Sequence, residues 1–346
     1  MVNQFDIRFM KRCFQLAGKG MGNVAPNPLV GAVIVHDNKI IGEGYHKRYG
    51  ASHAEPIAIN SVEDKSLLTD STIYVSLEPC NHFGNTPPCA DLILKTKFKR
   101  VVISNKDPNP KVNGSGIQKL KEAGIEITTG ILENEGRLLN RRFFKTQIEK
   151  RPYIILKWAQ TINGFIDSLD KTPLQISNDQ NRQLVHSWRA QEDGILIGAQ
   201  TFINDSPSLN TRNITGKSPT PILLLTKKLK LDYTLWKAKK QFIIIAPEHP
   251  SNMPRNAKWI PLRHSLNDSI SELLNYNISS ILVEGGGKTH QSFITENLWD
   301  ETRITKGEFA IESGIKAAKW GLKTPSFGVD QNDNVVDYFF NEDENQ

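Results

Sequence analysis

Short apolar runs of Val, Ile and Leu alternate with amphipathic stretches along most of the chain, and the pattern restarts near the middle. An apolar run of four to eight residues between turn signals predicts a buried strand, whereas a 3.6-residue repeat predicts a helix. In the first half, "FDIRFMKRCFQLAGKG" sets Phe5, Phe9, Cys13, Phe14, Leu16 and Ala17 near one helical face and ends in glycine. "LVGAVIVHDNKIIGEGYH" predicts two strands around an Asp37-Asn38 turn. "HAEPIAINSV", "CADLILKTK" and "GSGIQKLKEAG" predict helices, and "STIYVSLEP", "RVVISNKDPNP" and "IEITTGI" predict strands. Strands and helices in alternation call for a sheet with helices on its faces.

The second alternation begins at "EKRPYIILKWAQTINGFI". "DQNRQLVHSWRAQ" predicts a helix, "DGILIGAQTF" a strand and turn, and "PTPILLLT" and "QFIIIAP" two more strands. "LNDSISELLNYN" predicts a helix with an Asn/Asp start, and "SSILVEGGG" a buried strand running into glycines. At 346 residues the chain suits two domains, with a boundary in the polar stretch 147–151. We therefore expect domains at 1–147 and 148–346, a frayed "NEDENQ" tail and no internal repeat.

Hydrophobic residues make up 38% and charged residues 23%, which suits a globular protein with a sizeable core. No stretch approaches the ~20 apolar residues of a membrane span, and "MVNQFDIRFMKRC" lacks a secretory signal. The expected location is cytoplasmic, where thiols stay reduced, so a structural disulfide among the three cysteines is disfavoured. The net charge of +6 and pI near 9.0 fit nucleic acid and small phosphorylated substrates alike. The basic residues are dispersed, without an arginine-rich arm, which favours a small phosphorylated molecule over nucleic acid. A homo-oligomer is compatible with the sequence.

Two of the cysteines crowd into "LEPCNHFGNTPPC". They are either inert buried thiols or ligands, and one more donor is at hand: His53, at the expected start of a helix. One imidazole and the thiolates of Cys80 and Cys89 suit Zn²⁺, leaving a fourth position for a water whose pKa zinc lowers toward ~7. Cys89 at a helix start favours its thiolate. Glu55, two residues beyond His53, is placed to shuttle protons beside the metal without binding it. A structural site needs a fourth protein ligand, for which His82 is the obvious candidate; we read His82 as substrate-facing. His-x-Glu followed by Pro-Cys and a later Cys is the zinc-deaminase signature, here with eight residues between the cysteines instead of two.

That long insert resembles the deaminase half of the bifunctional riboflavin-biosynthesis deaminase/reductase family. "NPLVGAVIV", "GEGYH", "DPNPKVNGSG" and "LNRRFF" extend the resemblance. It implies a cytidine-deaminase-like three-layer αβα domain with one zinc per chain, and substrate contacts from Asn27, His46, His82, Asp107 and Asn109. Asn85 stands where the family usually carries Lys or Arg, which removes a cation suited to the substrate phosphate.

"LVEGGGKTHQSF" pairs a strand with a glycine run before a helix, a backbone able to cradle phosphate. "RPYIILKWAQTINGFI", the segment from Gln175 to Arg212 and "LVEGG…LWDE" resemble the family's reductase half, with the resemblance weakest beyond residue 303. It implies a dihydrofolate-reductase-like α/β domain that binds NADPH. The implied substrate residues are Arg189, Leu209, Arg212 and Glu284, the arginines matching phosphate bidentately. The implied cofactor residues are Ala159, Gln175, Thr201, Asp205 and the loop Gly286, Gly287, Lys288, Thr289, His290, Gln291 and Ser292. Asn163, Pro173, Gln175 and Ser206 depart from the family pattern. A nucleic-acid deaminase and a non-catalytic zinc-stabilised binding module compete with this reading; the dispersed charge and second domain weigh against the first, and Glu55 against the second.

Overall fold

A computed structural model of the chain describes residues 3–83, 87–110, 112–169, 174–212, 214–237, 240–319, 321, 324–330 and 334–341. Asn85 and Pro173 lie outside the described residues. The chain divides into two compact units, Met1–Lys150 and Arg151–Gln346.

In the first unit the order is α1 (Gln4–Gly18), β1 (Gly31–His36), β2 (Lys39–Tyr45), α2 (Ala54–Ser61), β3 (Thr72–Leu77), α3 (Cys89–Thr96), β4 (Arg100–Asn105), α4 (Ser115–Glu122), β5 (Glu126–Thr129), α5 (Glu133–Leu139) and α6 (Arg141–Glu149). The sheet runs β2-β1-β3-β4-β5, antiparallel through β3 and parallel from β3 to β5. Strand alternation builds a core on each face. Ala32, Ile34, Ile73, Val75, Val101 and Ile103 pack with residues of α2, α3 and α4, whereas Val33, Val35, Tyr74 and Val102 meet Phe9, Met10, Cys13 and Leu16 of α1. Helices thus cover both faces of the sheet, the three-layer arrangement expected.

Helix α1 buries Asp6 and Met10 rather than Phe5, which is 46% exposed. The reason is tertiary: Arg100 donates to both Asp6 carboxylate oxygens, at 2.9 and 2.8 Å, and Tyr74 donates to the same group at 2.9 Å. The Asp37-Asn38 turn takes positive φ at both residues, 46° and 58°, as a tight hairpin requires. Helices α5 and α6 were not expected from periodicity, and Gln147 lies inside α6.

The second unit comprises β6 (Tyr153–Gln160), β7 (Phe165–Asp167), α7 (Asp179–Gln191), β8 (Gly194–Gly198), α8 (Ala199–Asp205), β9 (Thr220–Leu224), α9 (Thr234–Lys237), β10 (Phe242–Ala246), β11 (Ala257–Pro261), α10 (Leu266–Ser271), β12 (Ser280–Val283), α11 (Gly287–Thr295), β13 (Glu301–Lys306), β14 (Ile315–Lys316), β15 (Phe327–Asp330) and β16 (Val335–Phe340). Among the described residues its main sheet runs β11-β10-β9-β8-β12-β6-β13-β16-β15, parallel up to β13 and antiparallel beyond. Its central strands are buried on both faces, which explains their unbroken apolar runs. Two expectations are corrected. The stretch after Gly198 is a helix rather than a turn, and α10 is capped by Ser265 and gives way to a 3₁₀ turn at Glu272–Tyr276.

Candidate active sites

His53 is the N-cap of α2, and Pro56 sits in that helix's first turn, where a missing N–H costs nothing. Gly44 lets β2 approach the helix: a Cβ there would stand 2.4 Å from Ala54 O. Cys89 opens α3 after Pro88, and Cys80 lies in the loop that follows β3. These three residues, distant in sequence, offer ligand atoms all within 4.8 Å of one another. His53 Nδ1 is 3.3 Å from Cys89 Sγ and 3.5 Å from Cys80 Sγ. Tetrahedral zinc with sulfur at about 2.3 Å and imidazole at about 2.0 Å spaces its ligand atoms about 3.5–3.8 Å apart, so the donor set fits the metal.

The electrostatics agree. The Cys89 thiol and His53 draw Cys80 down to about 4, whereas its bond to Cys80 and burial push Cys89 up. The pair without metal thus shares one proton between its sulfurs, and a dication placed between them would hold both as thiolates. Glu55 is 3% exposed, and among the described residues its Oε2 has no hydrogen-bond partner. Burial, then the nearby Cys80, raises this carboxyl above the usual range. A buried carboxylate oxygen without a partner is costly, and its place beside the metal-ligand cluster gives it a use.

His46 donates from Nδ1 to Ser52 O at 3.0 Å, because a carbonyl can only accept. Its Nε2 is then the acceptor for Asn27 Nδ2 at 3.1 Å. Its ring stands edge-on to that of His53, 5.6 Å between centroids. Asp107 is 7% exposed and accepts from Asn109 N at 2.8 Å; burial pushes its carboxyl up to about 6. His46 thus adjoins His53 and carries Asn27 with it, and Asp107 lies near enough for the charge of Cys80 to raise its carboxyl further, whereas His82 stands exposed in the loop after Cys80.

In the second unit Arg189 of α7 grips Glu284 at the end of β12: Nε to Oε1 at 2.9 Å and Nη2 to Oε2 at 2.6 Å. Its Nη1 donates to Asn210 O at 3.2 Å, beside Leu209, which is buried with φ of 48°. Arg212 is exposed, and its amide donates to His186 Nδ1 at 3.1 Å. Half-buried Lys157 on β6 belongs to the same cluster: burial lowers its ammonium, and Glu284 opposes that shift. Sequence reading passed over Lys157, although a lysine inside "YIILKWAQ" was the signal.

The glycine loop joins β12 to α11. Gly286 has φ of 50° and supplies no side-chain cap, so among the described residues the N-cap leaves the first amides of α11 uncapped by a side chain. Thr201 Oγ1 adjoins this loop, 3.1 Å from where a Gly286 Cβ would stand. His290, however, is 2% exposed, its imidazole bonds Val283 O at 3.0 Å and its amide donates to Gly286 O at 3.1 Å, so it belongs to the core rather than to the open face of the loop expected to meet a cofactor. Gln291 accepts from Lys319 N at 2.8 Å and Ser292 donates to Thr289 O at 2.8 Å. Lys288, Gln175 and Asp205 are exposed, Gly287 opens α11, and Ala159 lies half-buried on β6. Asn163 accepts from Thr161 Oγ1 at 2.7 Å and donates to Ile311 O at 2.7 Å; Ser206 caps α8 with φ of 41°.

Residues 3–105 match the family profile described as the cytidine and deoxycytidylate deaminase zinc-binding region, and residues 152–308 match the RibD C-terminal domain. The fold and site therefore define a zinc-dependent pyrimidine deaminase joined to a reductase. The riboflavin biosynthesis protein RibD of Aquifex aeolicus is 35% identical over 94% of this chain and 93% of its own. Acinetobacter baumannii RibD superposes with a TM-score of 0.90 at 29% identity, covering 97% of this chain and 99% of that one. The Thermotoga maritima diaminohydroxyphosphoribosylaminopyrimidine deaminase/5-amino-6-(5-phosphoribosylamino)uracil reductase gives 0.88 at 32% identity, covering 96% and 98%. The chain belongs to the RibD family of riboflavin biosynthesis proteins, bifunctional enzymes that use zinc and NADPH. Among the described residues no helix is long and apolar enough to cross a membrane.

Proposed function

We propose that Met1–Lys150 deaminates 2,5-diamino-6-ribosylamino-4(3H)-pyrimidinone 5′-phosphate and that Arg151–Gln346 then reduces the ribosyl group to ribityl. The observation that carries the reading is the His53, Cys80 and Cys89 cluster beside the partnerless Glu55 oxygen. Those three residues would hold zinc, which when bound supplies the Lewis acidity that makes water nucleophilic near neutral pH. Glu55 takes a proton from the attacking water and hands it to the departing amine, so its raised pKa suits both directions of transfer. Asn27, His46, His82, Asp107 and Asn109 orient the pyrimidine and ribose.

In the second unit Gly286, Gly287, Lys288 and Thr289 would hold the cofactor phosphates, with Thr201, Ala159, Gln175 and Asp205 along the rest of NADPH, which supplies the hydride when bound. Arg189 fixes Glu284, and Arg212 is exposed for the substrate phosphate. As the ribose C1′–O bond opens, hydride ends on C1′ and a proton on the released oxygen; Lys157 is the nearby acid suited to give it. Positioning supplies most of this rate. The test follows ammonia and NADPH separately with the diaminopyrimidinone ribosyl phosphate. Cys80→Ser should lose zinc and ammonia release while keeping NADPH oxidation on the deaminated intermediate. Full metal content and activity in that variant would refute the assignment.

A further inference from the structure

Glu78 follows β3 and precedes Pro79 and Cys80, and it is 4% exposed. Four backbone amides donate to its carboxylate: Asp107 at 3.2 Å and Gly114 at 2.9 Å to Oε2, and Gly116 at 3.0 Å and Ile117 at 3.3 Å to Oε1. A buried charge persists only where such bonds offset its desolvation. Gly116 and Ile117 lie in the first turn of α4, whose N-cap, Gly114, brings no side chain, so Glu78 caps that helix from β3. The amide of Asp107 is held by the same carboxylate, and Asn109 donates to the Asp107 side chain. The two backbones touch closely: a Cβ at Gly116 would stand 2.2 Å from Pro79 O, the carbonyl directly before Cys80.

One carboxylate therefore ties the backbone entering a cysteine of the cluster to the backbone that presents Asp107 and Asn109. We infer that Glu78 is a positioning residue of the deaminase, setting the distance between the metal-binding loop and the substrate contacts. The inference rests on the reading of Asp107 and Asn109 as substrate residues. It acts through them rather than on the reacting atoms.

Glu78→Gln keeps the size of the side chain but turns part of its acceptor face into N–H groups opposed to backbone N–H groups. In the full-length enzyme it should keep its zinc and its NADPH oxidation rate, while KM for deamination rises about 10- to 100-fold and kcat falls much less. Glu78→Asp retains the charge and shortens the reach, and should raise KM by a smaller factor. If both variants lower thermal stability and active fraction with KM unmoved, the carboxylate only holds the fold and the inference fails. Asp107→Asn and Asn109→Ala separate the two levels. If they leave KM unchanged, the reading of those residues falls; if they raise it and the Glu78 variants do not, only the inference falls.

Discussion

The two sites are built in contrasting ways. The deaminase site gathers specialised side chains at two helix starts, His53 and Glu55 on α2 and Cys89 on α3, with Cys80 after a strand. The reductase site we propose is made mostly of backbone and of one ion pair, Arg189 with Glu284, where Glu284 follows the parallel strand β12. A metal site demands particular atoms, so its residues cannot be exchanged. A phosphate cradle demands only amides in the right conformation, and many sequences supply those.

The largest effect that would break this contrast is at Glu55. Glu55→Gln should lower the deamination rate by about 10²–10⁴-fold and leave zinc bound, measured by ammonia release and metal content. Unaltered ammonia release would remove the carboxylate from the chemistry.

Arg189→Ala comes next. It leaves Glu284 buried without its partner, and the pair's side chains are only 13% and 10% exposed. Loss of about 3–5 kcal/mol of stability in the second unit is expected in denaturant titrations. Arg212→Ala, at an exposed position, should instead raise KM for the phosphorylated intermediate with little change in stability. Equal stability losses in both variants would make the distinction wrong.

These two arginines also show what was legible in the sequence. Both were expected to grip phosphate, but in the structure the Arg189 guanidinium is taken up by Glu284 and Asn210 O, a pairing of side chains far apart in sequence that no local pattern announces. His53, Glu55, Cys80 and Cys89 were readable because zinc chemistry restricts both residue type and order. Glu78 was not singled out in the sequence, because its four amide partners come from a segment 29 to 39 residues on. The buried face of α1 was misjudged at Phe5 for a similar reason: Asp6 is drawn inward by Arg100 and Tyr74. Helices α5 and α6 are short, seven and nine residues, and rich in charge, so the sequence there reads as a polar connection although α6 sets Phe143 and Phe144 on a buried face.

A smaller effect concerns pH. Burial lowers His290 from 6.5 to about 4, so the unfolded chain takes up a proton that the folded one refuses. Its contribution is complete above pH 6.5 and is lost as pH falls toward about 4, amounting to about 3 kcal/mol. Fluorescence of Trp158, whose ring centroid is 5.2 Å from that of His290, can follow unfolding across this range. His290→Gln should flatten the profile; an unchanged slope would mean the imidazole is not the titrating group. Smallest is Asn38→Ala, which places a Cβ-bearing residue without a compensating side chain at φ of 58° and should cost about 1 kcal/mol with both KM values unmoved.

The most direct measurement is zinc-edge X-ray absorption on the purified chain. Two sulfurs at about 2.3 Å with two lighter atoms at about 2.0 Å, one zinc per chain, is the expected shell. A shell without sulfur, or a protein that takes up no zinc, would contradict the account.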